Sequence, residues 1–337
     1  MKILVTGAAG FIGAATVKAL LGQGHEVVGI DNINSYYDVG LKYARLADAG
    51  IVQAYVHEGR MAVSATLPAY RFMMLELADR IGLSALFDAE HFEAVVNLAG
   101  QAGVRYSIDN PFAYVESNVV GFLNVLECCR HHPVAHLVYA SSSSVYGMGS
   151  HVPYAEDDPT DAPVSLYAAT KKSDELMAHA YSHLYGIPAT GVRFFTVYGP
   201  WGRPDMAPYL FMQAIMTGRP IHVFNHGDMQ RDFTYIDDIV EGVLRLLPQP
   251  PSGPVPHAVY NIGHSSPVPL MDFIHTIEHV SGRRATMIME DMQPGDVYRT
   301  YADTTRLQHA LGYHPSVSVA AGVARFYDWY RAYAHIG

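Results

Sequence analysis

Gly7-Ala8-Ala9-Gly10-Phe11-Ile12-Gly13 follows Lys2-Ile3-Leu4-Val5-Thr6 and leads into Val17, Leu20 and Leu21 at helical spacing. A short buried strand, a glycine turn and an apolar helix in that order predict the first unit of an α/β nucleotide-binding fold. Gly7 permits the tight turn, Gly10 lets the backbone approach a pyrophosphate, and Gly13 lets the helix pack close to the strand. Phe11 and Ile12 lie in the first helical turn, whose unpaired N–H groups face the phosphates. A second strand, Glu26 to Ile30, closes on Asp31 and Asn32. A carboxylate at that place accepts hydrogen bonds from both adenosine ribose hydroxyls and repels a 2′-phosphate, which favours NAD over NADP.

The alternation continues with strands at Ala94 to Leu98, His136 to Ala140 and Ala189 to Phe195, and helices around Val119 to Cys129 and Tyr167 to Tyr185. Strands alternating with helices imply a Rossmann-type, doubly wound parallel sheet. After Tyr198 proline and glycine become frequent, as expected of a smaller C-terminal α/β lobe, although Thr234 to Leu247 reads as a helix returning to the sheet. The expected division is a dinucleotide-binding domain over 1–198 plus about 232–262, and a substrate lobe over 199–231 and 263–337. Residues 52–68 lack clear periodicity and read as a loop or insertion without an assigned role.

Half of the 337 residues are hydrophobic and 16% are charged, so a sizeable core is expected. A formal charge of −10 argues against non-specific binding to nucleic acid or an anionic membrane. Phosphate-bearing ligands must then be held by local arginines and backbone N–H groups. Cys128 and Cys129, the only cysteines, are adjacent; they suit neither a disulfide framework nor a zinc site, so a reducing, cytoplasmic setting is expected. Lys2 leads straight into a strand, and no apolar run is long enough to span a bilayer. The 18 histidines show no metal-binding spacing, so no metal is expected.

Tyr167-Ala168-Ala169-Thr170-Lys171 places a phenol and an ammonium on one helix face, i and i+4. The lysine favours the phenolate, making a usable general base, and could also anchor a nicotinamide ribose. Ala140-Ser141-Ser142-Ser143-Ser144-Val145-Tyr146-Gly147 ends an apolar strand, where hydroxyls point into the crevice in which open α/β sheets bind ligands. A tyrosine base beside a dinucleotide implies redox chemistry at a carbinol carbon.

These motifs together resemble the extended short-chain dehydrogenase/reductases of the nucleotide-sugar epimerase and dehydratase group. The resemblance covers nearly the whole chain and includes Asn97-Leu98-Ala99-Gly100, Arg193 to Pro200, Arg231-Asp232-Phe233 and Pro294-Gly295-Asp296. It implies Tyr167 as base, Lys171 as its partner and Ser142 as the hydroxyl on the reacting oxygen. It further implies that Leu98, Ala99, Asn118, Ala140 and Val197 lie along NAD, and that Arg231 and Asp296 contact the diphosphate and uridine. Dehydratases of the group carry Thr-Asp-Glu before Val-Tyr-Gly; here Ser142-Ser143-Ser144 stands in that place, so the elimination machinery is missing.

Ala102 to Ser107 and Thr196 to Met206 closely resemble UDP-glucuronate 4-epimerases, an isomerase family of carbohydrate metabolism. Oxidising C4 of a glucuronate gives a β-keto acid prone to lose carbon dioxide. Holding its carboxylate so that the C5–C6 bond lies away from the carbonyl π system suppresses that loss. Arg203, with Thr196, Ser143 and Ser144, is the candidate holder; the other reading of Arg203 is a loop arginine paired with Asp205. The rival functions are a UDP-glucuronate decarboxylase, a neutral UDP-hexose 4-epimerase and a non-catalytic NAD-binding scaffold. The helices near Asn118 to Cys129 and Tyr167 to Tyr185 resemble the family's four-helix dimer interface. Val119, Val120, Phe122, Leu123 and Val125 suit such a homodimer, though they would equally serve a monomer's core.

Overall fold

The computed structural model describes residues 1–148, 151–293 and 296–335, so Pro294 and Gly295 lie outside the described residues. The chain separates into two compact units: 1–147, 159–193 and 240–260 form the first, and 148–158, 194–239 and 261–337 the second.

The strands in chain order begin with Lys2–Thr6 (β1), Glu26–Asp31 (β2), Met61–Val63 (β3), Tyr70–Met74 (β4), Ala94–Asn97 (β5), His136–Ser142 (β6) and Ala189–Phe194 (β7). They continue with Thr196–Tyr198 (β8), Ile221–Val223 (β9), Gln230–Arg231 (β10), Phe233–Tyr235 (β11), His257–Ile262 (β12), Val268–Pro269 (β13) and Met287–Met289 (β14). One eight-stranded sheet has the order β12-β7-β6-β5-β1-β2-β4-β3. The pairs β1–β2, β1–β5, β2–β4 and β5–β6 are parallel, and β3 is antiparallel to β4. Register aligns Leu4 with Val28 on one side and Val95 on the other. All three are fully buried in one cluster with Leu137, Phe87, Phe122 and Val125. Helices cover both faces, which is why the central strands read as apolar runs rather than alternating.

The helices of the first unit are Phe11–Gly22 (α1), Val39–Asp48 (α2), Arg80–Glu90 (α3), Tyr106–Asp109 (α4), Pro111–Tyr114 (α5), Gly121–His131 (α6) and Leu166–Tyr185 (α7). Their ends follow local chemistry. Asp38 and Asp79 accept from Gly40 N and Gly82 N, and Ser165 caps α7 at Ala168 N. Gly186, at φ +69°, then closes α7 in the left-handed region. A π-helical turn, Val115–Val120, joins α5 to α6.

The second unit pairs β8 with β11 and β9 with β14 in parallel, and β10 with β13 antiparallel. Its core stacks Phe233 on Phe273 with centroids 4.1 Å apart, and Tyr198 meets both rings edge-on.

Three sequence expectations change. Residues 52–68 are not all loop: 61–63 adds an edge strand to β4, too short to leave a pattern. The 234–247 stretch begins as strand β11 before its helix, Ile236–Leu246. Of the apolar residues offered for an interface, Phe122 and Val125 are fully buried in the first unit's core, whereas Val120 and Leu123 are exposed. Both cysteines sit buried and unbridged on α6. Among the described residues no helix is long and apolar enough to cross a membrane.

Candidate active site

The glycine turn leaves β1 beside the exit of β5. A Cβ added at Gly7 (φ +69°) would lie 2.8 Å from Ala99 N, and one at Gly13 would lie 2.0 Å from Gly7 O. One at Gly10 would lie 2.9 Å from Gly7 O. Only hydrogen atoms fit this cradle, so the backbone can close around a ligand. Gly10 offers no side chain to cap α1, and Phe11 and Ile12 follow it in the first turn. Thr6 Oγ1 donates to Asn97 Oδ1 at 2.7 Å and accepts from Ala99 N at 3.0 Å, fixing Leu98 and Ala99 beside the turn.

Asp31 ends β2 with its carboxylate buried. Oδ2 accepts from Ala9 N at 3.2 Å, Oδ1 from Ile33 N at 2.8 Å, and Lys42 Nζ stands 3.8 Å away. A carboxylate has lone pairs beyond those used here. Asn32 donates to Glu76 Oε2 at 2.6 Å. A glycine cradle at a helix N-terminus, with a fixed carboxylate at the next strand's end, fits a dinucleotide.

Two of the catalytic candidates, Lys171 and Ser142, stand at the end of β6. Lys171, buried on α7, donates to Ala140 O at 3.0 Å and to Asp174 Oδ2 at 3.1 Å. A Cβ on Gly100 would lie 3.3 Å from its ammonium. Tyr167, one turn earlier and partly exposed, meets the Tyr114 ring edge-on at 6.0 Å. Ser142 accepts from Ser144 N at 3.2 Å, and its hydroxyl donates to Ser144 Oγ at 3.1 Å. Ser143 and Ser144 continue into a short 3₁₀ turn, both partly exposed.

Asn118 lies in the π-helical turn, 2% exposed. It accepts from Gln101 N at 2.7 Å and donates to Gln101 O at 3.1 Å and Thr170 Oγ1 at 2.9 Å. Such turns recur at functional sites because one extra residue re-aims a side chain.

The second unit carries the remaining candidates. Thr196 N donates to Asp232 O at 3.2 Å, and Val197 pairs with Thr234. Arg203 forms a two-point pair with Asp205, with Nε 3.1 Å from Oδ1. Its loop leaves Gly199 (φ +140°) through Trp201, a non-glycine residue at φ +64° packed against Trp329 and Tyr333. Arg231 donates to the carbonyls of Gln230 and Tyr298 at 2.9 and 3.1 Å. Asp296 is partly exposed, and its N–H donates to Gln293 O.

Several supporting residues escaped the sequence reading. Glu175 on α7 accepts Ser141 Oγ at 2.7 Å and forms a two-point pair with Arg193 at 2.8 and 2.9 Å. Burial pushes the Glu175 carboxyl up, but Arg193 and Ser141 outweigh it and hold the group below its ordinary value. Burial raises Asp174 to about 7 against the pull of Lys171, and Asp174 Oδ1 has no hydrogen-bond partner among the described residues. Asp232, fully buried, accepts from His264, Ser265 and Ala302 N–H groups, which locks the segment next to Arg231. Arg299 bridges to Gln230, and its buried Nε also lacks a partner. The one available signal was a second arginine three residues past Asp296. Among the described residues no cluster of metal-ligating side chains occurs.

Residues 3–263 match the NAD dependent epimerase/dehydratase family. A probable UDP-glucuronate 4-epimerase of Rhizobium meliloti is 46% identical over 98% of this chain and 97% of its own length. A UDP-glucuronate 4-epimerase of Arabidopsis thaliana is 44% identical over 100% of this chain and 78% of its own. The crystal structure of UDP-glucuronic acid 4-epimerase from Bacillus cereus, in complex with UDP-glucuronic acid and NAD, superposes with a TM-score of 0.88. It is 33% identical and covers 99% of this chain and 100% of that one.

Proposed function

The chain belongs to the NAD dependent epimerase/dehydratase family, and from that premise we propose that it is an NAD-dependent UDP-glucuronate 4-epimerase. It interconverts UDP-glucuronate and UDP-galacturonate through a transient 4-keto sugar. The observation that carries the reading is the fixing of Lys171 between Ala140 O and Asp174, one turn below Tyr167 at the end of the strand that bears Ser142.

Bound NAD supplies the acceptor for a hydride from C4 and its return to the opposite face of the sugar. Tyr167 takes the C4 hydroxyl proton as the C4–H bond breaks and gives it back when the ketone is reduced. Ser142 holds O4 through both half-reactions. Lys171 stands one helical turn from Tyr167 as its partner, and the proton moves between O4 and Tyr167 without an external base. Gly7, Gly10, Phe11, Ile12, Gly13, Asp31, Asn32, Leu98, Ala99, Asn118, Ala140 and Val197 are assigned to the cofactor. Arg231, Asp296 and Arg299 are assigned to the UDP group. Thr196, Ser143, Ser144 and Arg203 are assigned to the C6 carboxylate, holding C5–C6 out of line with the C4 carbonyl π system. This reading puts NAD on the Rossmann portion, 1–198 with about 232–262, and the UDP group on the remainder.

Phe112 (82% exposed), Val115, Val120 and Leu123 on 111–131, with Leu176 and Leu184 on α7, leave an apolar surface that suits a homodimer. Two unbridged thiols suit the cytoplasm, and the −10 charge suits a protein without a nucleic-acid partner.

The test is incubation with UDP-glucuronate without reductant, followed by NMR of the anomeric and C4 protons. UDP-galacturonate with C6 retained is the expected product. A UDP-pentose would make the protein a decarboxylase, and inactivity with turnover of UDP-glucose would move the substrate to neutral sugars. Tyr167→Phe should lower kcat by about 10²–10⁴-fold.

A further inference from the structure

We propose that residues 33–37 form a fixed clasp that closes over the dinucleotide and makes it a resident of the enzyme. Tyr36 is the catch, and Arg45 is the pin that ties the clasp to the phosphate-binding turn. The inference rests on the NAD-dependent reading above.

Topology brings the parts together. β1 lies between β5 and β2, all parallel, so the turns leaving their carboxyl ends stand side by side with the glycine turn in the middle. The outer two turns meet. The Tyr36 ring, on the β2 side, lies 4.7 Å from the Tyr106 ring on the β5 side. A Cβ added at Gly103 (φ +103°) would lie 2.7 Å from the Tyr36 hydroxyl, so the phenol seats against bare backbone. Tyr114 braces the far side by donating to the carbonyls of Ala102 and Gly103 at 3.0 and 2.5 Å.

The base of the clasp is bonded at three residues, Ile33, Asn34 and Tyr36. Ile33, at φ +50°, donates to Asp31 Oδ1; Asn34 N donates to Asn32 Oδ1 at 3.1 Å; and Tyr36 N donates to Asn34 Oδ1 at 3.3 Å. Lys42 and Arg45, 4% and 1% exposed on α2, secure it from beneath. Lys42 donates to Asn34 Oδ1 at 3.0 Å. Arg45 donates to Tyr37 OH at 2.7 Å and to Ala9 O at 3.0 Å, and both cations lie against the Tyr37 ring. Engaging Ala9 O from the buried side keeps that carbonyl from facing a pyrophosphate. A segment bonded this densely is a standing strap, not a swinging lid.

The chemistry explains the need. When oxidation and reduction occur on the same sugar, losing the dinucleotide between them strands a keto sugar.

The test follows cofactor exchange in the purified holoenzyme. Wild type, Tyr36→Ala, Tyr36→Phe and Arg45→Met are chased with deuterated NAD, desalted, and the retained cofactor is weighed by mass spectrometry after denaturation. Losing the ring contact with Tyr106 and the hydroxyl's seat at Gly103 should speed exchange by about tenfold in Tyr36→Ala. Tyr36→Phe should fall between it and wild type. Activity of Tyr36→Ala should fade on dilution and return with added NAD, whereas wild type should not respond. If Tyr36→Ala does not fold, Tyr36→Phe and Tyr106→Leu carry the same comparison. Folded variants that exchange at the wild-type rate while wild type holds NAD would overturn the clasp alone. Wild-type protein that neither contains nor takes up NAD would overturn the cofactor reading with it.

Discussion

Two arginine–carboxylate pairs in this protein share one geometry and differ in surroundings. Arg193–Glu175 is sealed, with both side chains 4% exposed, and joins α7, β7 and, through Ser141, β6. Arg203–Asp205 lies within three residues of one loop, with side chains 20% and 27% exposed. A pair sealed away from water cannot exchange partners without stranding a charge, whereas a partly exposed pair can. The first suits a strut under the catalytic helix. The second suits an arginine that meets an incoming carboxylate.

The largest effect should come from breaking the strut. Glu175→Gln leaves Arg193 buried without its counter-charge and should cost about 3–5 kcal/mol in urea unfolding. A loss below about 1 kcal/mol would erase the distinction between the pairs. The acid limb sharpens it. Glu175 is held below its ordinary 4.5, so its contribution is full above that pH and is lost as pH falls through the lower folded value. A neighbour must be separated first. His257, bonded to Tyr139 OH at 2.8 Å, is lowered from 6.5 to about 4 by burial, with His179 adding to it. Its contribution is therefore present above pH 6.5 and drains away down to about 4. The interval corresponds to at most about 3 kcal/mol. His257→Gln should flatten that part of the stability–pH curve and leave the Glu175 limb visible below it; an unchanged curve would refute the assignment.

Arg203→Met should do the reverse of Glu175→Gln. Stability should move by less than about 1 kcal/mol, while kcat/KM for UDP-glucuronate falls about 10–100-fold and carbon dioxide release rises. A large loss of stability with unaltered product partition would make Arg203 another strut. The smallest effect belongs to Lys172→Met. Lys172 is half-buried and reaches Glu175 at 3.3 Å, so its removal should cost about 0.5 kcal/mol in low salt and less at 1 M. A cost as large as that of Glu175→Gln would mean that Arg193 is not the main partner of Glu175.

The sequence was most legible where local chemistry decides structure. The glycine turn, Asp31 at a strand end and Tyr167 above Lys171 each rest on spacing within one element. Arg203 and Asp205 were readable as a pair because they are neighbours in sequence. Asp174 and Glu175 were not: three and four residues past Lys171, they look like solvated helix charges, and only the packing of α7 against the sheet buries them. β3 was missed because three residues carry no period. The exposed surface near residue 120 was mixed with core positions because the helix there departs from regular spacing.

That departure has a consequence for how the chain tolerates change in length. Val115–Val120 holds one residue more than an ordinary turn would. Deleting Val119 would regularise the helix and should favour its backbone. Winding all six residues at the ordinary α pitch would instead rotate everything on one side of the turn by about 100° relative to the other. Either Asn118 turns away from Gln101 and Thr170, or Phe122 and Val125 leave the core. The extra residue acts as a phase adjuster, letting one helix serve a buried polar contact and an apolar core that a uniform pitch could not satisfy together.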